Sequence, residues 1–167
     1  MYVTGRELKN VLEILQVAAK SKPEDYCYYS GLRVDYDPEK GLFHKIKRID
    51  IVHNDGSMIK VDFSRKNKSL YSITADSYML DFIGIIKKMS FGLINVVPKD
   101  EAGNKIKDMK NAVIDMDENR AGVQEGKEWL ALIEFLGSMK DINGDGIPDI
   151  DRKYAVPIKC FVTVQAR

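Results

Sequence analysis

Cysteine is scarce: Cys27 and Cys160 are the only two, and no C-x-x-C pair exists. That excludes a cysteine-built zinc site and a thioredoxin-type redox motif. It leaves two readings of the pair, a long-range disulfide or two buried thiols. Histidine is as scarce. His44 and His53 fall in or near one predicted hairpin, with no second histidine or carboxylate at metal-site spacing, so both are expected on a surface or turn. No apolar run approaches the ~20 residues that span a bilayer. The opening Met1-Tyr2-Val3-Thr4 lacks the basic and apolar regions of a signal peptide and runs at once into a helix signal. The expectation is a piece of a longer chain with Met1 added. There is no G-x-S-x-G elbow, no G-x-x-x-x-G-K and no G-x-G-x-x-G, so no nucleophile elbow or phosphate cradle is encoded.

A net charge of +1 gives no overall pull toward polyanions or anionic membranes. The charge is unevenly spread. Residues 33–68 hold nine basic and six acidic residues, while residues 100–151 hold six basic and thirteen acidic. Nucleic-acid binding would place an excess of the opposite sign, so no nucleic-acid polymer is expected as partner. The length, 167 residues, and a hydrophobic fraction of 44% suit one folded domain with a real core.

Thr4 and Glu7 form a T-x-x-E capping box ahead of Leu8, Val11, Leu12 and Leu15 at helical spacing, and Lys22-Pro23 ends that helix. Residues 31–36 read as a strand. The run through Ile46, Ile49 and Ile51, the turn Asn54-Asp55-Gly56-Ser57 and residues 58–63 read as a hairpin. Residues 70–76 and 91–97 read as strands, 77–89 as a helix, and 112–116 as a short strand. The clearest helix runs from Gln124 to Lys140, with Trp129, Leu132, Ile133 and Leu136 in its apolar stripe and Phe135 expected in the core. Residues 154–164 read as a final strand. The sum is an α+β fold, with a mixed, mostly antiparallel sheet packed with about three helices.

Asp141-Ile142-Asn143-Gly144-Asp145-Gly146-Ile147-Pro148-Asp149-Ile150-Asp151 matches the first nine positions of an EF-hand-type loop and two residues more. Asp141, Asn143 and Asp145 supply side-chain oxygens, Gly146 allows the sharp turn, Ile147 offers its carbonyl, and Asp149 acts directly or through water. Position 12 is Arg152, so the last oxygens come from Asp151 or from elsewhere. Pro148 lacks the N–H that would pair two such loops. The expectation is one structural Ca2+ in a helix–loop–strand setting, tying the long helix to the last strand. Without a cation, four carboxylates crowd together.

Tyr26, Tyr28 and Tyr29 form an aromatic cluster after the first helix. Alternating rings on an extended segment suit stacking on a planar ligand, with core filling the competing role, favoured for Tyr28.

Several segments, in order, resemble the C-terminal domain of the 5'-nucleotidase / UDP-sugar hydrolase family. They are Val3-Thr4-Gly5-Arg6-Glu7-Leu8-Lys9 with Leu12-Glu13, Tyr29-Ser30-Gly31-Leu32-Arg33-Val34-Asp35-Tyr36-Asp37, the hairpin over 47–62, and Leu70-Tyr71-Ser72-Ile73-Thr74-Ala75-Asp76-Ser77-Tyr78. The resemblance spans roughly residues 3–98. Residues 99–167 are expected to be a C-terminal extension with helix, calcium loop and final strand, packed as part of the same domain. The resemblance implies that this domain grips a nucleotide or nucleoside between two aromatic rings. An N-terminal metallophosphoesterase domain of the parent chain would hold the divalent catalytic metals. None of that domain's D-x-H or G-N-H-[DE] motifs occurs here, so no catalytic residue is assigned. Tyr26 aligns with one stacking ring. Phe82 is the nearest ring to the other, although Phe82-Ile83-Gly84-Ile85 stands where the family has G-G-D-G. The implied setting of the parent is periplasmic or extracellular, where free calcium suits a weak loop. The rival expectation is a non-enzymatic, calcium-stabilised interaction module reusing the fold.

Overall fold

The computed structural model describes residues 1–21, 24, 26–76, 96–155 and 161–163. Strand β1 (Tyr2–Thr4) leads straight into helix α1 (Gly5–Ser21). The capping box forms: Glu7 N–H donates to Thr4 Oγ1 at 3.3 Å, and Glu7 Oε2 accepts the Thr4 N–H at 2.8 Å. Glu7 Oε1 also accepts from Val97 N at 3.1 Å and Lys99 Nζ at 2.9 Å, so one side chain ties the helix start to the 96–99 segment. Leu8, Leu12 and Leu15 are buried, as the helical spacing predicts. Gly5 is required by a close approach: a Cβ there would stand 2.5 Å from Asp62 O and 2.8 Å from Val61 Cγ1.

Strands β2 (Leu32–Tyr36), β3 (Ile46–Val52) and β4 (Met58–Lys60) follow, then β5 (Leu70–Ser72). Near the C-terminus lie helix α2 (Glu128–Gly137) and strand β6 (Phe161–Thr163). The larger sheet has the order β4-β3-β2-β6, and β1 pairs with β5 in a second sheet. Among the described residues the β2–β6 pairing alone is parallel, and the other three are antiparallel. Val34 stands opposite Ile49, and both are fully buried. With Val3, Leu12 and Val61 they centre a core in which each apolar side chain contributes about 1.5–3 kcal/mol. The β3–β4 turn has the chemistry expected of Asp-Gly: Gly56 sits at φ 82, and Asp55 Oδ1 accepts Ser57 N–H at 2.8 Å.

The chain divides into two compact units, Met1–Lys105 with Lys159–Arg167, and Ile106–Ile158. All side chains buried among the described residues belong to the first. The fold is α+β with mixed sheets, as predicted, with two α-helices among the described residues. The helix predicted over 77–89 and most of the strand over 91–97 lie outside the described residues, as does Cys160.

Three expectations need correction. Helix α2 starts at Glu128, not Gln124, because residues 124–126 pair elsewhere. Met116 N–H donates to Gln124 O at 2.8 Å and Gly126 N–H to Ile114 O at 3.0 Å, and Lys127 is extended. That pairing also replaces the short strand expected over 112–116 with an isolated bridge, Asp115 to Glu125, preceded by a 3-10 turn at Met109–Ala112. The apolar stripe of α2 is not core. Trp129 is 61% exposed; Leu132, Ile133 and Phe135 are exposed, and Leu136 is half-buried. Periodicity records that a face is apolar; it does not supply a partner. Among the described residues no helix is long and apolar enough to cross a membrane.

Candidate functional site

Two segments carry the chemistry the sequence singled out, one in each unit. In the first unit, residues 26–29 run between α1 and β2 without regular structure. Tyr29 packs against the hydrophobic core. Tyr26 is half-buried, and Tyr28 is 60% exposed, which corrects its expected place in the core. Tyr29 takes the place against the core, and Tyr28 packs instead on the ring of Tyr26. Their ring centroids are 4.9 Å apart at an interplanar angle of 73°, an edge-to-face pair. Gly31, at φ 73, then turns the chain into β2. Phe82, the second ring expected around a ligand, lies outside the described residues.

A buried polar group in the same unit was not singled out from the sequence. Lys9 and Glu13, four apart on α1, form an ion pair at 2.9 Å, with Glu13 fully buried. Glu13 Oε1 also accepts the Ile46 N–H at 2.9 Å, and Lys9 Nζ donates to Phe43 O at 2.6 Å. The pair thus fixes the end of the β2–β3 loop, where Phe43 adopts φ 67. Burial, then the Glu13 charge, pushes the Tyr36 hydroxyl above its ordinary range. The i, i+4 spacing of opposite charges was the available signal; what hid it was the usual solvent exposure of such pairs.

In the second unit, the 141–151 loop closes on itself. Asp149 N–H donates to Lys140 O at 2.9 Å and Ile142 N–H to Asp149 Oδ2 at 2.8 Å. The Asp141 carboxylate accepts from Gly144 N at 2.6 Å through Oδ1 and from Gly146 N at 2.8 Å through Oδ2. Asn143 Oδ1 accepts Asp145 N–H at 2.9 Å, and Asp145 Oδ1 accepts Ile147 N–H at 2.8 Å. Gly144 and Gly146 occupy φ 79 and 86, which glycine adopts freely. The backbone N–H groups of Gly146 and Gly144 hold the Asp141 carboxyl below the usual carboxylate range. The Lys153 N–H does the same for Asp151. The donor set is all oxygen, as a hard divalent ion requires. Among the described residues, no three His, Cys, Asp or Glu side chains are grouped so as to hold a metal ion. Beside the loop lies an open cleft of about 900 Å³ whose lining includes Phe135, Ile142, Ile150, Arg152 and Tyr154.

Compared with known proteins, residues 1–87 match the model of one family, described as 5'-nucleotidase, C-terminal domain. No curated protein and no solved structure matches the chain.

Proposed function

This chain belongs to the 5'-nucleotidase C-terminal domain family, and on that premise we propose that it is the part of a 5'-nucleotidase-type phosphohydrolase that grips a nucleotide or nucleoside. Phosphate-ester cleavage falls to a metallophosphoesterase domain elsewhere in the parent protein, because the metal-binding motifs of that chemistry are missing from these 167 residues. The observation that carries the reading is the position of Tyr26. It lies inside the matched segment, half-buried on the irregular 26–29 run, just ahead of β2. An aromatic ring so placed offers a π-face to a base. Phe82 takes the second ring's role in this reading.

The test is a titration of the 167-residue chain with adenosine, followed by NMR of the tyrosine ring protons into the millimolar range. Saturable shifts that Tyr26→Ala abolishes are expected. Their absence in the unaltered chain ends the reading.

The acidic loop has a separate role: Asp141, Asn143, Asp145, the Ile147 carbonyl, Asp149 and Asp151 bind one structural Ca2+. Their oxygen-only chemistry and the two left-handed glycines support it. An extracytoplasmic parent, periplasmic or secreted, supplies the calcium such a loop needs.

A second reading has one observation in its favour. The exposed apolar residues of α2, Trp129 among them, suit a calcium-stabilised interaction module that reuses the fold and binds no nucleotide. Adenosine binding separates the two.

A further inference from the structure

We infer that the β2–β3 loop, residues 37–45, is a strap that lifts from α1 as one local unit, held shut by the buried Lys9–Glu13 ion pair and the ring of Phe43. The inference concerns the first unit alone and stands apart from the nucleotide reading.

The loop is bonded mostly to itself. Asp37 N–H donates to Lys45 O at 2.9 Å and His44 N–H to Gly41 O at 3.0 Å, while Lys45 Nζ donates to Pro38 O at 2.5 Å. Residues 38–42 are exposed. Its hold on α1 is the Phe43 carbonyl, which accepts from Lys9 Nζ at 2.6 Å, and beside it the Phe43 ring packs against the core. A loop bonded within itself and anchored at one residue opens as a piece.

The closed state carries terms of both signs at that anchor. The Lys9 ammonium has three partners: Glu13 Oε1 at 2.9 Å, the Phe43 carbonyl, and the Phe63 ring, whose centroid is 5.8 Å away. Against them, Phe43 stands at φ 67, a left-handed conformation that any residue with a Cβ resists. Glu13 Oε2 is buried with no hydrogen-bond partner among the described residues, which is also unfavourable. Lifting the strap relieves both, since Phe43 returns to negative φ and water reaches the Glu13 carboxylate. Favourable and unfavourable terms released together at one anchor make a segment two-state, not merely rigid.

The experiment is hydrogen exchange of the 167-residue chain, read by NMR in low urea. The Ile46 amide, bonded to Glu13 Oε1 at 2.9 Å just beyond the strap, reports its lifting. The Val61 amide, bonded to Ile49 O inside the sheet, is the reference. A local opening exposes little surface, so Ile46 exchange should barely respond to urea, while Val61 exchange accelerates steeply. Lys9→Met with Glu13→Gln should speed Ile46 exchange roughly tenfold or more. Glutamine there keeps an oxygen for the Ile46 N–H and removes the charge that Lys9→Met alone would strand. Phe43→Ala, which loses the ring and keeps the strain, should open roughly fivefold more than Phe43→Gly, which loses both. Equal urea dependence of Ile46 and Val61 would show that the loop opens only with the whole unit, and overturns the inference. That comparison uses the unaltered chain, so it decides the matter whatever the variants do to folding. An Ile46 rate untouched by the double variant overturns it too, as does equal opening in Phe43→Ala and Phe43→Gly.

Discussion

At the scale of single residues, Gly5 shows how tightly the first unit is closed. Glycine inside a helix is ordinarily a weakness, and replacing it with alanine gains up to about 1 kcal/mol. Here the missing Cβ is what lets α1 start against the 61–62 segment, since an added one would meet Asp62 O at 2.5 Å. A backbone oxygen cannot swing aside as the end of a long side chain can. Gly5→Ala is therefore expected to lose stability, by about 1–3 kcal/mol as overpacked sites do. Urea unfolding checks it. A gain of stability would mean that the helix start relaxes freely and that the contact is not a constraint. The neighbouring sequence shows the same contrast between what residue type announces and what only packing decides. Asp55-Gly56 announced its turn by itself. Whether Tyr28 or Tyr29 would enter the core depended on which side of the run met α1 and the sheet, and residue type is silent on that.

At the scale of elements, the α1 start is a small electrostatic device. Glu7 serves its own capping box and also receives Lys99 and Val97 from a segment some ninety residues away. Burial raises the pKa of its carboxyl, but the bonds from Lys99, Thr4 and Val97 outweigh it and leave it below the ordinary value of 4.5. A group with a depressed folded pKa contributes stability that is complete above its unfolded value and is lost as pH falls through the folded one. The expected outcome is a wild-type melting temperature that declines as pH drops below about 4.5, the ordinary carboxyl value. Glu7→Gln starts lower at neutral pH and declines less over the same window. Parallel acid limbs in the two proteins would show that Glu7 does not carry this dependence. The sequence made half of this device visible. T-x-x-E fixed the local pair, and Leu8, Leu12 and Leu15 fixed the buried face. Lys99 was beyond reach, because no local spacing relates it to Glu7. The same limit explains α2. Its apolar period ran on from Gln124, but residues 124–126 were claimed by 114–116, a pairing that helical periodicity cannot anticipate.

At the scale of the molecule, the two units differ in how they can be held together. The first has a core of fully buried side chains. The second has none among its described residues, and α2, the one α-helix among them, is apolar on nearly every side. Ordering a residue costs about 1–2 kcal/mol of backbone entropy, and a segment of this length with so little burial needs another source of stability. Its local hydrogen bonds cluster in the acidic loop, where backbone amides already satisfy the carboxylates of Asp141 and Asp145. Calcium bound there would offset the negative charge of the loop. It would stabilise the folded loop by mass action, about 2.7 kcal/mol at a concentration a hundred times its dissociation constant. The effect should be confined to the second unit. Limited proteolysis is expected to cut within 106–158 faster in EDTA than in calcium, while hydrogen exchange of the α1 and β3 amides stays the same in both. Asp145→Ala, which removes a proposed ligand from an exposed position, should make the calcium sample as susceptible as the EDTA one. Equal cleavage with and without calcium would overturn the proposed ion. Protection that extended equally to α1 would place the ion's influence in the first unit's core instead, contrary to a role confined to the loop.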